Sequence, residues 1–142
     1  MTQRFVNYAE FRLQRNPHDA DARTELGLLQ LTHQQPAAAM ESFRIAARDN
    51  PAYDQPHYYL GLVHRTQGRL VEARAEFETA TRLNPRNSKA FGNLGFIFLD
   101  QHDLTRAESS FAEALRLNPA DQLAREALNS LEQARKNPPK GQ

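Results

Sequence analysis

Residues 60–85 read LGLVHRTQGRLVEARAEFETATRLNP, and the marks of this stretch return at one fixed interval. Leu60-Gly61 stands 34 residues after Leu26-Gly27 and 34 before Leu94-Gly95. Ala73, Phe77 and Ala80 follow Ala39, Phe43 and Ala46, and precede Ala107, Phe111 and Ala114, by the same step. Asn84-Pro85 belongs to a set with Asn16-Pro17, Asn50-Pro51 and Asn118-Pro119. A period of this length kept in register marks a helical solenoid.

The residue types explain the period. Alanine at i, phenylalanine at i+4 and alanine at i+7 fall on one helical face. Gly27, Gly61 and Gly95 remove a side chain where two helix axes come close, Ala39, Ala73 and Ala107 supply the other half of the approach, and the phenylalanines fill the space beside them. Proline ends each second helix because it lacks an N–H and restricts the residue before it. Helices are expected near 3–15, 21–33, 37–49, 55–67, 71–83, 89–101, 105–117 and 120–136.

The pattern L-G-x11-A-x3-F-x2-A-x4-P resembles the tetratricopeptide repeat, a helix–turn–helix unit of 34 residues. The resemblance implies an all-α, right-handed superhelix, an α-solenoid, with repeats at 20–53, 54–87 and 88–121. Residues 1–19 then hold the second helix of an incomplete repeat or a cap, and both readings stay open. In that register Ala9 stands where phenylalanine is expected and Arg12 where alanine is. Residues 122–136 are expected as a C-terminal capping helix with Leu123, Leu128 and Leu131 turned to the third repeat, followed by a disordered tail at 137–142. The family's bulky first-helix positions hold Arg23 and Gln30, then His57 and His64, and only in the third unit Phe91 and Phe98.

Composition narrows the functions. The chain has 142 residues, 18 basic and 17 acidic side chains, and a net charge of +1, which gives no electrostatic case for nucleic acid or an anionic membrane. No apolar run is long enough for a membrane span, and the first residues carry no apolar signal region, so a cytoplasmic place is expected, or a periplasmic one for a fragment of an exported protein. No cysteine is present, which removes disulfides, thiolate metal sites and cysteine nucleophiles. GxSxG, P-loop and HExxH motifs are lacking, so no catalytic residue, cofactor or metal site is expected. His57 and His64 lie two turns apart, about 10 Å by helix rise, too far to share one ion unaided. They read as partly buried, hydrogen-bonded packing residues, while His18, His33 and His102 sit in turns without an evident partner.

The first helices carry the binding signal. Their faces opposite the second helices hold, in rows, Asp21, Gln55 and Lys89; Thr24, Tyr58 and Gly92; Leu28, Leu62 and Phe96; Leu31, Arg65 and Leu99, with Tyr59 and Asn93 at the edge. Stacked repeats would join these rows into a concave surface, and aromatics with arginine are typical interface anchors. The expected partner-binding set is therefore Leu28, Leu31, Tyr58, Tyr59, Leu62, Arg65, Lys89, Asn93, Phe96 and Leu99, facing away from each unit's own helix pair, with Arg65 and Lys89 pairing with acidic ligand groups. One subclass of the family grips the C-terminal carboxylate of chaperones with lysine and asparagine. At its positions this chain has Thr24, Leu28, Tyr59, Lys89 and Asn93, and Lys89 alone matches.

The function expected is non-enzymatic: a protein-interaction module that receives an extended or helical peptide in an apolar-aromatic groove. Two other readings stay open. One is a self-assembling scaffold, a homo-oligomer using the N-terminal helix, where Phe11 points away from the face of Phe5, Ala9 and Leu13. The other is the recruitment domain of a larger enzyme, such as a glycosyltransferase.

Overall fold

A computed structural model describes the backbone of residues 2–138 and 140, with side chains from residue 8 onward. The expected face of Phe5 and Val6, and part of the tail at 137–142, lie outside the described residues. Helices follow in the order α1 (Thr2–Arg15), α2 (Ala20–Thr32), α3 (Pro36–Asp49), α4 (Asp54–Thr66), α5 (Leu70–Leu83), α6 (Ser88–Asp100), α7 (Leu104–Leu117) and α8 (Gln122–Lys136). No strand occurs among the described residues, as the all-α solenoid reading requires. The period has a direct structural origin: a 13-residue helix, a short turn, a 14-residue helix and a linker ending in the next helix's cap.

The Asn-Pro linkers do more than stop a helix. The N–H groups of Asn16, Asn50, Asn84 and Asn118 close the preceding helix on Arg12, Ala46, Ala80 and Ala114. Their carbonyls accept from Asp19, Tyr53, Asn87 and Asp121, the residues before the next helix. The side chains of Asn16, Asn84 and Asn118 accept from the N–H two residues on, an Asx turn across the proline. Asp19, Asn87 and Asp121 then cap α2, α6 and α8 by accepting from Ala22, Ala90 and Ala124. Tyr53 holds the same register before α4 but makes no side-chain cap.

The turns inside each pair share a left-handed residue. Gln34, Gly68 and His102 have φ of 57°, 75° and 61°. After each, Gln35, Arg69 and Asp103 donate back to Gln30, His64 and Phe98 at 2.8 Å, the longer bond of a Schellman ending.

The chain forms two compact units, Met1–Thr79 and Ala80–Gln142. In the first, Ala39, Met40, Phe43, Leu60 and Val63 make a buried cluster with Leu28, Leu31 and Tyr59 packed against it. Phe43 and Phe77 are wholly buried, each over the glycine of its own first helix. In the second, Phe111 is wholly buried over Gly95, and Leu94, Ile97 and Phe98 are buried as well. Burying each phenylalanine contributes roughly 1.5–3 kcal/mol.

α8 departs from the expected cap packing. Leu123 is 66% exposed rather than turned inward. The adjacent Ala124 is the buried residue, and Leu128 and Leu131 are half-buried. A small side chain lets α8 lie close on α7, and Arg135 ties it there through Glu108.

Candidate protein-interaction surface

In the Met1–Thr79 unit, α2 and α4 bring two of the expected anchors together. Leu31, Pro36, Leu62, Val63, Thr66 and Gln67 line an open depression of about 200 Å³ with no charged side chain in its wall. Leu62 and Thr66 share a face of α4 one turn apart, and the Thr66 hydroxyl donates to the Leu62 carbonyl, so that polar group is spent on the backbone. Leu28 lies instead with Tyr8, Glu25 and Leu29 around a second depression of about 320 Å³.

The expectation that the anchor residues face away from the helix pairs is corrected by their contacts. Leu28 and Leu31 rest on the Phe43 cluster. Tyr59 stacks on Phe43 with ring centroids 5.4 Å apart, and Tyr58 meets Tyr59 at 5.2 Å and Phe77 at 5.9 Å. In the Ala80–Gln142 unit, Phe96 lies edge-on to Phe111 at 4.9 Å. These residues are half-buried, one side in packing and the other in solvent. Arg65 and Leu99 are half-buried as well, and Lys89 is exposed. The Asn93 amide donates to the Lys89 carbonyl at 2.9 Å. Thr24, expected on the open face, is buried and its hydroxyl donates to the Ala20 carbonyl.

Charge near the N-terminal end is already committed. Arg12, where the register expects alanine, reaches Asp19 at 3.1 Å, Asp21 at 2.9 Å and Glu25 at 3.2 Å. Those carboxylates, Asp21 first, raise the guanidinium pKa above its ordinary value. The Tyr53 hydroxyl donates to Asp21 at 3.2 Å. Burial, then the Asp21 charge, pushes the Tyr53 hydroxyl up to about 12. Asp21 thus serves the linkers.

The histidines divide. His57 meets Glu76 of α5 at 2.7 Å, the expected hydrogen-bonded packing role. His64 is buried, but its Nδ1 has no hydrogen-bond partner, which corrects half of that expectation. His18, expected without a partner, meets Asp49 at 3.2 Å, and this bond, with Arg48, holds the Asp49 carboxyl below its ordinary range. Among the described residues no three His, Asp or Glu side chains are grouped to hold a metal ion. No helix of the described residues is long and apolar enough to cross a membrane.

Sequence reasoning missed the cap series Asp19, Tyr53, Asn87 and Asp121, although it repeats at the same step as the glycines. It also missed the Arg12 hub, whose signal was an arginine at an alanine position.

Solved structures share this arrangement. A crystal structure of MamA matches with a TM-score of 0.78 at 16% identity, over 92% of this chain and 77% of that one. PilF of Pseudomonas aeruginosa matches with a TM-score of 0.78 at 23% identity, over 95% of this chain and 69% of that one. The first tetratricopeptide repeat domain of Spaghetti (RPAP3), solved with the HSP90 peptide SRMEEVD, matches with a TM-score of 0.76 at 18% identity, over 82% and 93%. At these identities the likeness is one of fold. No curated protein sequence gives a significant match. The sequence model of the tetratricopeptide repeat matches residues 7–54, 24–88 and 58–122, an overlapping run across most of the chain. With its glycine–phenylalanine pairs and left-handed turns at one spacing, the chain belongs to the tetratricopeptide repeat family.

Proposed function

We propose that the chain is a non-enzymatic protein-interaction module that receives a polypeptide segment on its first-helix faces. One observation carries this reading: Leu31 and Leu62, from the first helices of successive repeats within the Met1–Thr79 unit, form an uncharged apolar depression open to solvent. Its volume of about 200 Å³ is below the ~300–1,000 Å³ of small-molecule sites and suits a single side chain. Leu28, Tyr58, Tyr59 and Arg65 extend the same surface, and Lys89, Asn93, Phe96 and Leu99 are its proposed counterpart in the Ala80–Gln142 unit. A domain of similar fold was solved with a bound peptide, which supports a peptide as the class of ligand.

The test is selection of 12-residue peptides from a random library on the intact chain, followed by titration of the selected peptides. Leu62→Ala should weaken them at least about tenfold, near 1.4 kcal/mol, while helicity is retained. Selected peptides that bind Leu62→Ala with undiminished affinity would refute the reading.

Self-association is a second reading, favoured by α1, where Tyr8 and Phe11 remain 58% and 50% exposed. Arg15 covers one face of the Phe11 ring at 4.9 Å. Sedimentation that shows only monomer up to about 100 μM, near −5.5 kcal/mol, would exclude it.

A further inference from the structure

We infer that a depression between α1 and α2 is a small-molecule site for a zwitterion of the α-amino acid type with an aliphatic side chain. The site is separate from the peptide surface and shares no residue with the Leu31–Leu62 depression.

Glu10, Leu13 and Gln14 of α1 and Arg23 and Leu26 of α2 line an open depression of about 300 Å³. That volume is at the lower end of the ~300–1,000 Å³ of small-molecule sites. The spacings 10, 13, 14 and 23, 26 each place the residues on one face of their helix. One acid, one base, one amide and two leucines are therefore gathered around a single opening. Arg23, Leu13 and Leu26 are half-buried, while Glu10 and Gln14 are exposed.

Arg23 is the unusual member. The repeat step aligns it with His57 and Phe91. His57 has an acidic partner from its own second helix, Glu76 at 2.7 Å. The residue aligned with Glu76 is Ser42, and its hydroxyl donates instead to Gln30 at 2.6 Å. The first repeat thus keeps a cation at this register without the acid that answers it in the second. The Arg23 Nε is enclosed by protein and has no hydrogen-bond partner. Its two Nη groups carry the remaining donors and are the ones a ligand can use. A planar guanidinium edge of this kind is matched by a carboxylate.

Glu10 sets the other charge. A plain carboxylate drawn to Arg23 would meet the like charge of Glu10, and a cation drawn to Glu10 would meet Arg23. A ligand that carries both a carboxylate and an ammonium group turns both repulsions into attractions. Leu13 and Leu26 offer apolar surface to an aliphatic side chain, and the Gln14 amide can both donate and accept.

Free leucine, leucinamide, N-acetylleucine and glycine test this at pH 7 by amide-shift titration of the intact, isotope-labelled chain. Leucinamide lacks the carboxylate, N-acetylleucine lacks the ammonium group and glycine lacks the side chain. Leucine should give saturable shifts centred on α1 and α2 with a Kd of about 1 mM or tighter, at least tenfold below the Kd of each of the others. Arg23→Gln should weaken leucine at least tenfold. Glu10→Gln, at an exposed position, should remove the preference for leucine over N-acetylleucine, and it decides the matter if Arg23→Gln loses helicity. No saturable shift with leucine up to about ten times that concentration overturns the inference. So does N-acetylleucine or leucinamide binding as tightly as leucine, or a leucine preference that survives Glu10→Gln. Shifts centred on Leu31 and Leu62 overturn it too, while leaving the peptide-surface reading standing.

Discussion

A Cβ placed on Gly61 would stand 2.7 Å from Cε1 of Phe77 and 2.8 Å from two further ring atoms, closer than real contacts allow. The residues lie on α4 and α5, and the ring is wholly buried. Gly27 with Phe43 and Gly95 with Phe111 repeat the relationship at 2.5 Å. Phenylalanine thus sits directly on the glycine backbone, where the alanine next to it in the pattern had been expected to make the approach.

Gly61→Ala should therefore destabilise the chain by about 1–3 kcal/mol through overpacking. Phe77→Ala should cost about 3–5 kcal/mol through lost burial and a cavity. The two should not add: in a urea-unfolding cycle, Gly61→Ala should cost much less when Phe77 is already alanine. Additive losses would mean that the ring does not rest on the glycine.

The left-handed turns make a sharper contrast. An added Cβ on Gly68 would meet nothing within 4 Å, so Gly68→Ala should lose about 1 kcal/mol for conformation alone. His102 holds the same φ region with a side chain. His102→Gly should stabilise the chain by up to about 1 kcal/mol, read as a rise in urea midpoint. A loss of stability would show that the His102 side chain outweighs its backbone strain.

Much of this was legible because the information repeats. Three copies of a glycine–phenylalanine spacing and four Asn-Pro pairs locate helices and turns without tertiary knowledge. The surface was harder, for two physical reasons. A helical wheel built on one repeat sees only that repeat's helix pair, so it sets Tyr59 at a groove edge, whereas the ring stacks on Phe43 of the preceding repeat. A register error of one residue turns a side chain by about 100°, enough to exchange Leu123 with the buried Ala124. The His18–Asp49 bond joins residues 31 positions apart and left no local mark.

Tyr53 gives the fold a pH dependence at the alkaline end. Its hydroxyl is raised from 10 to about 12, so between these values the folded chain holds a proton that the unfolded chain releases. The stabilisation is whole below about pH 10 and is lost as pH rises through 12. Compared with Tyr53→Phe, the natural chain should lose stability faster above pH 10 and run parallel below it. Parallel curves through pH 11.5 would contradict the Asp21 contact and the burial together.

Chaperone C-terminal peptides should bind weakly. Of the five carboxylate-gripping positions, Thr24 is buried, Leu28 packs on the core, Tyr59 stacks on Phe43 and Asn93 bonds its own helix, so Lys89 alone presents an exposed cation. Calorimetry should give a Kd weaker than about 100 μM, near −5.5 kcal/mol. Low-micromolar binding abolished by Lys89→Ala would be the contrary result.

The central claim is that the Leu31–Leu62 depression is a ligand surface. Because Leu31 also packs on the Phe43 cluster, the most direct measurement fills the depression from its exposed rim. Thr66→Phe places a ring where the ligand's anchor would sit and leaves the Phe43 cluster in place. Titration of library-selected peptides against this variant should show affinity lowered at least about tenfold, near 1.4 kcal/mol, with the melting temperature unchanged or raised. Full affinity in a folded Thr66→Phe chain would contradict the account.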